Sequence, residues 1–384
     1  MVNLVIDMCS KKKIIRVTTV PTSLDTFCKD QLRELSAQYE VVAVSSPLPE
    51  LEVVAKREGV RTVAVKMERH ISLMKDLTSL VQLYKLFRRE KPWMVHSMTP
   101  KAGLLCMIAA WFARVPKRVH TFTGLVWPTA TGLNRLILKT TDRILCACAT
   151  HIIPEGNGVK KDLLEGKITQ KAMNVLANGN VRGIDLECYN RTDEVMSIAN
   201  EIRHSDAVTY IFVGRLVRDK GIHELVNSFV KLNSKYNDTR LLLVGRAEPE
   251  LDPLSDEITT IINTHNAINA VGEQDDVRPW FAAADILAFP SYREGFPNVV
   301  IEAGAMGLPS IVTDINGSNE IIIQDENGVI IPSKNADALY CAMERLYEDV
   351  ECRKKMASKA RDLIASRFDC KIVRNALYEF YASL

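Results

Sequence analysis

Residues 286–313 read ILAFPSYREGFPNVVIEAGAMGLPSIVT. The apolar run Ile286–Phe289 reads as a strand and is followed by a polar turn; a helix is expected from about Pro297, and a second strand at Ser310–Thr313. Strand, helix and strand in this order are the unit of a parallel sheet, because parallel neighbours need a long crossover. The alternation extends both ways from this stretch. Strands are expected upstream at Thr209–Val213, Arg240–Val244 and Asn269–Val271, and downstream at Gly328–Ile331.

An earlier series covers Ile14–Thr19, Glu40–Ser45, Arg61–Val65, Met94–Ser97, Arg118–Phe122, His151–Pro154 and Asn174–Leu176. Helical patterns separate these strands at about 25–38, 72–90, 101–114, 133–148 and 156–165. Two series of this length fit two doubly wound α/β sheets better than one long sheet. The polar segment around Gly179–Ser205, entered through the turn Asn178-Gly179-Asn180, is the expected boundary. This gives a first domain over 1–190 and a second over 205–367.

The 384 residues, 47% hydrophobic and 25% charged, are long enough for two cores and ordinary for a globular protein. Nine scattered cysteines, Cys146 and Cys148 among them, lack a second metal-spaced pair and read as reduced thiols in a cytosolic protein. Residues 1–13 form no convincing secretory signal, since Lys11–Lys13 follow the apolar patch. Ala102–Val115 is too short to span a bilayer and contains Arg114. The expectation is a cytoplasmic protein, either soluble or peripheral on the inner face of the plasma membrane.

Charge is divided unevenly. Residues 1–190 hold 28 Lys+Arg against 17 Asp+Glu, and residues 191–384 hold 21 against 30. The basic half suits anionic phosphates, on a lipid head group or at a bilayer surface, although solvated surface charge is the plainer explanation. Dispersed basic residues without a recognised motif argue against nucleic acid.

Chemistry concentrates in the second half. Gly214-Arg215-Leu216-Val217-Arg218-Asp219-Lys220-Gly221 follows a strand directly, and its two cations, Arg215 and Lys220, suit a diphosphate. A surface loop with two cations would look the same. It is neither a dinucleotide-binding glycine fingerprint nor a Walker loop, which weakens the dehydrogenase and ATPase readings. In the stretch quoted first, free N–H groups at the helix start can meet phosphate oxygens, and Glu294 and Glu302 can accept from vicinal hydroxyls. Two glutamates eight apart are common by chance, so the surrounding strand, turn and helix give them their weight. A further polar turn, Asn316-Gly317-Ser318-Asn319-Glu320, follows the strand Ser310–Thr313. No D-x-D, H-E-x-x-H or EF-hand pattern occurs, so no metal and no cofactor are expected, and a leaving diphosphate must be met by protein cations and helix-terminal amides.

In combination these motifs, with Ala303-Gly304-Ala305-Met306-Gly307-Leu308-Pro309, resemble the retaining GT-B glycosyltransferases of family four. The resemblance is dense from Phe212 to about Pro332. It is looser in the first half, through His96–Gly103, His120-Thr121-Phe122-Thr123-Gly124 and Asn178-Gly179, which are similar to bacterial enzymes extending lipid-linked oligosaccharides for capsules, O-antigens or protein glycans. It implies two Rossmann-like domains facing across a cleft, the first for the acceptor and the second for a nucleotide sugar. A terminal helix, from about 368 to 384, would cross back onto the first domain.

The same resemblance implies the roles of residues. Gly214, Arg215 and Lys220 would grip the donor diphosphate. Glu294 would hold the transferred sugar, with Gly295, Phe296, Pro297, Asn298 and Val299 lying against sugar and phosphate. Glu302 would bind the ribose. His120 would face the reacting centre, and Lys101, His120 and Thr121 would meet the acceptor. Read alone, His120 is equally a satisfied strand-end histidine and Lys101 a surface cation at a helix start. The Leu104–Trp111 stripe reads as core helix or membrane patch, and Trp127 and Tyr292 as packing or stacking groups.

The activity implied is transfer of a hexosyl or N-acetylhexosaminyl group from a UDP-sugar to a saccharide on a polyprenyl-diphosphate carrier. The alternatives are a nucleotide-sugar epimerase of the same fold and a non-catalytic nucleotide-sugar-binding subunit. One departure from many relatives is that Thr18-Thr19-Val20-Pro21-Thr22-Ser23-Leu24 stands where a glycine-rich loop is usual.

Overall fold

The computed structural model describes residues 11–68, 72–204, 206–248, 250 and 252–384; Cys9 and most of the apolar patch in residues 1–13 lie outside them. Two compact units divide the chain. One contains the residues up to Glu155, Val159–Leu176 and Arg374–Leu384; the other contains Gly156–Gly158 and Ala177–Val373.

The sheet of the first unit comprises β1 (Lys13–Val17), β2 (Glu40–Ser45), β3 (Arg61–Ala64), β4 (Met94–Met98), β5 (Lys117–Phe122) and β6 (His151–Pro154). The spatial order is β3-β2-β1-β4-β5-β6 and every pairing is parallel. The second unit repeats the plan with β7 (Val208–Val213), β8 (Thr239–Val244), β9 (Ile268–Gly272), β10 (Ile286–Phe289), β11 (Ser310–Thr313) and β12 (Gly328–Ile331), in the order β12-β11-β10-β7-β8-β9. Both are doubly wound, with the order reversing beside β1 and beside β7. Helices cover both faces of such sheets, so central strands are buried on both faces: five consecutive residues of β2, Val41 to Ser45, are buried.

Four details depart from the sequence reading. Asn174–Leu176 is not a strand; a single parallel bridge joins Met173 to Ile152. The helix expected at about 25–38 is two, Pro21–Cys28 and Gln31–Leu35. They part where Asp30 takes a left-handed conformation (φ 64°) and the buried Glu58 carboxylate accepts from the N–H groups of Asp30 (2.9 Å) and Arg33 (3.1 Å). Glu50–Glu58 is itself a helix that the sequence reading did not contain. The segment read as a linker holds a further helix, Asp193–Ile202, started by the Thr192 side chain accepting from Val195 N–H, and residues 177–190 cluster with the second unit.

The last helix spans Cys370–Ala382, and from Arg374 onward it belongs to the first unit. The Tyr381 hydroxyl accepts from Arg16 Nη1 (2.9 Å) and lies 2.5 Å from His96 Nδ1. Arg374 and Tyr378 both reach Glu34, each at 2.6 Å. Tethers of this kind order a chain end that would otherwise fray. All eight described cysteines are free thiols.

Candidate active site

In the second unit the candidate residues stand where β7, β10 and β11 end. β7 runs into Gly214, and the next turn is fixed by Leu216 N–H donating to Arg246 O (2.9 Å). Arg218–Lys220 form one 3-10 turn that ends at Gly221, whose φ of +73° and closeness to Pro290 O leave no room for a side chain. Tyr292 N–H donates to Asp219 O (2.8 Å), tying this turn to the one after β10. The tie sets the partner of Lys220: its Nζ bonds Glu294 Oε1, which also accepts from Ser291 Oγ (2.8 Å). Both side chains of the pair are mostly buried, so each charge needs the other. Arg215 is more open and donates from Nη1 to Glu248 Oε2 at 2.8 Å. The two cations named from the sequence are thus each held by a carboxylate.

Phe296 is buried, and the helix Asn298–Ala305 begins after Pro297, which places no side-chain cap on it. Its first amides are therefore directed toward the turn. Glu302 lies within this helix, mostly buried, and accepts from Arg182 Nη1 (3.2 Å). Arg182 is held by the turn before it. Asn180 Oδ1 accepts from the N–H groups of Arg182 (2.9 Å) and Gly183 (2.7 Å), while its Nδ2 donates to Asn298 Oδ1 (2.9 Å). After β11, Gly317 leaves no room for a side chain, since a Cβ there would meet Gly295 O, Phe296 Cα and Pro297 Cδ. Glu320 accepts from the N–H groups of Asn157 (2.6 Å) and Gly158 (2.9 Å).

Arg182, Asn180, Glu248 and Ser291 did not stand out in the sequence. Asn180 was visible as part of a turn, but nothing in that turn indicates that it orients an arginine onto Glu302. Glu248 follows β8, the neighbour of β7, and an acid there is the one available cue for the Arg215 pair.

The candidates of the first unit sit at the ends of β4 and β5. His120 is 1% exposed; its Nδ1 lies 2.9 Å from Ser97 Oγ and its ring meets Phe122 edge-on. Burial holds its pKa down at about 3, so the imidazole is neutral. Thr121 is also buried, its hydroxyl 2.7 Å from His96 Nε2. Lys101 opens the helix Pro100–Phe112 and donates from Nζ to Asp76 Oδ2 at 2.5 Å. In place of a glycine-rich loop, the stretch after β1 gives Thr19, whose hydroxyl accepts from Ala102 N–H (3.2 Å) and so satisfies that helix start.

Residues 197–363 match the family model described as glycosyl transferases group 1, and residues 16–155 match the model described as glycosyl transferase 4-like. The capsular polysaccharide biosynthesis glycosyltransferase CapM of Staphylococcus aureus is 30% identical over 96% of this chain and 97% of its own. The chain belongs to the group 1 glycosyltransferase family. This glycosyltransferase is also 30% identical, over 78% of either chain, to the Escherichia coli UDP-Gal:alpha-D-GlcNAc-diphosphoundecaprenol alpha-1,3-galactosyltransferase. Its fold is GT-B: the structure of HepE from Anabaena in complex with UDP superposes with a TM-score of 0.81, covering 97% of this chain and all of that one, at 17% identity.

Proposed function

We propose that this glycosyltransferase moves the sugar of a UDP-sugar to a saccharide carried on a polyprenyl diphosphate, releasing UDP and retaining the anomeric configuration, in the assembly of a bacterial capsule or lipopolysaccharide-type glycan. One observation carries the reading: Lys220, Glu294 and Ser291 form one bonded cluster beside an uncapped helix start, with Glu302 further along that helix. Lys220 and Arg215, leaving their carboxylates, would neutralise the diphosphate as the glycosidic bond breaks, and the amides of Gly295 to Val299 would add fixed dipoles. Glu294, freed from Lys220, would accept from hydroxyls of the transferred sugar. Glu302, oriented by Arg182, would accept from the ribose. No covalent nucleophile is invoked; departure and attack would share one face of the sugar. Lys101 is proposed to meet an acceptor phosphate. His120 and Thr121, buried and internally bonded, are proposed as positioning groups behind that contact.

The donor and acceptor classes are supported by the named substrates of the E. coli relative and by the UDP bound in HepE. With such an acceptor and a nucleotide-sugar donor, the enzyme would work at the inner face of the plasma membrane. The test is incubation with a panel of nucleotide sugars and a polyprenyl-diphosphate saccharide, following nucleoside diphosphate release and the anomeric configuration of the product by NMR. Transfer from a UDP-sugar with retention, persisting in excess EDTA, is expected. Inversion, or loss of activity restored by magnesium or manganese, would overturn those parts of the reading.

A further inference from the structure

Three helices, Leu73–Glu90, Pro100–Phe112 and Gly132–Cys148, pack side by side in the first unit. A helix layer on a sheet normally turns one apolar stripe inward and a polar face outward. These helices are apolar outward as well. The first presents Met74, Leu77, Val81 and Tyr84 to solvent, and the third presents Leu133, Leu136, Ile137 and Ile144. Each set follows helical spacing over three turns, so each forms a single rib. Between them the middle helix shows Leu104 and Ile108 half-buried and Trp111 exposed. A helix that is apolar all round belongs in an interior, yet this one has an uncovered face. Met74 and Leu133, at 79% and 72% exposure, are among the most open large apolar residues described.

The exposure is concentrated in this unit. Of the eighteen large apolar residues exposed among those described, only Ile198, Ile323, Val350 and Ile372 lie in the second unit. The charges on the layer have one sign. Lys75, Lys85, Arg88, Arg89, Arg135 and Arg143 are exposed on the two outer helices. Their acids are occupied or hidden: Asp76 is bonded to Lys101, Glu90 to Lys13 and Arg61, and burial pushes Asp142 up to about 7. Lys139 stands over the Trp127 ring, 5.0 Å from its centroid.

We propose that the outer face of this helix layer docks on an anionic lipid bilayer. The ribs enter the acyl boundary, while the flanking Lys and Arg side chains keep their charges at the phosphates. Two ribs separated by one helix, about 20 Å apart from usual interaxial distances, suit a flat partner rather than a groove. All three helices start at the carboxyl edge of the first sheet, the end that carries Lys101. A lipid-borne acceptor would therefore arrive at that end. The purpose of docking rests on the proposed lipid-linked acceptor; the docking itself does not.

The experiment is co-sedimentation of the full chain with phosphatidylglycerol-containing vesicles and with phosphatidylcholine vesicles. The parent is expected to bind the former and to be released as salt rises. The double variant Leu133→Glu, Leu136→Glu and the single variant Val81→Glu remove apolar area from separate ribs, and each should lower partitioning by about tenfold or more. Ile198→Glu, on the second unit, should leave it unchanged. All substituted positions are exposed, so melting temperatures should match the parent. Turnover with a short soluble acceptor should be kept by all variants, which separates failure of docking from failure of the proposed activity. Parent-like vesicle binding by both rib variants would overturn the proposal, as would absence of parent binding to either vesicle. A dimer in solution that the rib variants dissociate would assign the face to a second copy and overturn it equally.

Discussion

Gly317 is the position where one added methyl group tests whether the turns after β10 and β11 form a single device. At its φ of +75° a Cβ would lie 2.5 Å from Gly295 O, 2.6 Å from Phe296 Cα and 2.8 Å from Pro297 Cδ. Ordinary contact begins near 3.4 Å, so Gly317→Ala must push that backbone by about 0.6–0.9 Å in an interior packed too tightly to absorb it. Left-handed strain costs about 1–2 kcal/mol and overpacking about 1–3 kcal/mol, which gives a loss of about 2–5 kcal/mol in urea unfolding. The displaced residues carry the amides and follow Glu294, so turnover should fall by about 100-fold, the usual effect of a misplacement near 1 Å. Gly307→Ala is the matched control, since its φ is +81° and a Cβ there meets nothing within 4 Å. It carries the same strain of about 1–2 kcal/mol without a clash, and turnover per folded molecule should be kept. Equal losses of turnover in the two variants would refute the argument that Gly317 positions the β10 turn.

Lys220→Ala and Arg215→Ala should each lower turnover at saturating donor by about two to three orders of magnitude, as loss of a charge stabiliser does, with Lys220 the larger because it is the more enclosed; steady-state assay of nucleoside diphosphate release measures this. Stability should depend on acid through two buried histidines. Burial holds His120 at about 3 and His96 well below its ordinary 6.5, so above about 6.5 both states are neutral and stability is full. As pH falls from there toward 3 the unfolded chain takes up protons that the folded one refuses. His120 then removes about 1.4 kcal/mol per pH unit, and His96 adds a loss of the same sign. Chemical unfolding at several pH values should show this slope, and His120→Gln should make it shallower.

Much of this was legible in the sequence because parallel sheets are covered on both faces, so their strands appear as apolar runs that stand apart from the helical periods. β2, β6, β10, β11 and β12 occur at the residues expected. The errors came from polar signals with two meanings. Asn174–Leu176 has strand-like composition but pairs with no strand; the one bridge beside it is made by Met173. The break at Asp30 depends on Glu58, 28 residues away, and no local pattern carries such a cap. At the site, Lys220 and Glu294 were each named from their own turns. That one bonds the other depends on β7 and β10 being neighbours in space, although β8 and β9 intervene in sequence. The Arg182–Glu302 pair was invisible for the same reason, its members standing 120 positions apart in the sequence.

The central claim is that Glu302 reads the nucleotide and Glu294 reads the sugar. Calorimetric titration of Glu302→Gln and Glu294→Gln with UDP tests it most directly. Amidation of a carboxylate that accepts from hydroxyls should cost about 1–3 kcal/mol, so Glu302→Gln should bind UDP about 5- to 150-fold more weakly. Glu294→Gln also loosens the hold on Lys220, so it should bind UDP unchanged or more tightly while transfer from the UDP-sugar collapses. Equal weakening of UDP binding in both variants would contradict the account.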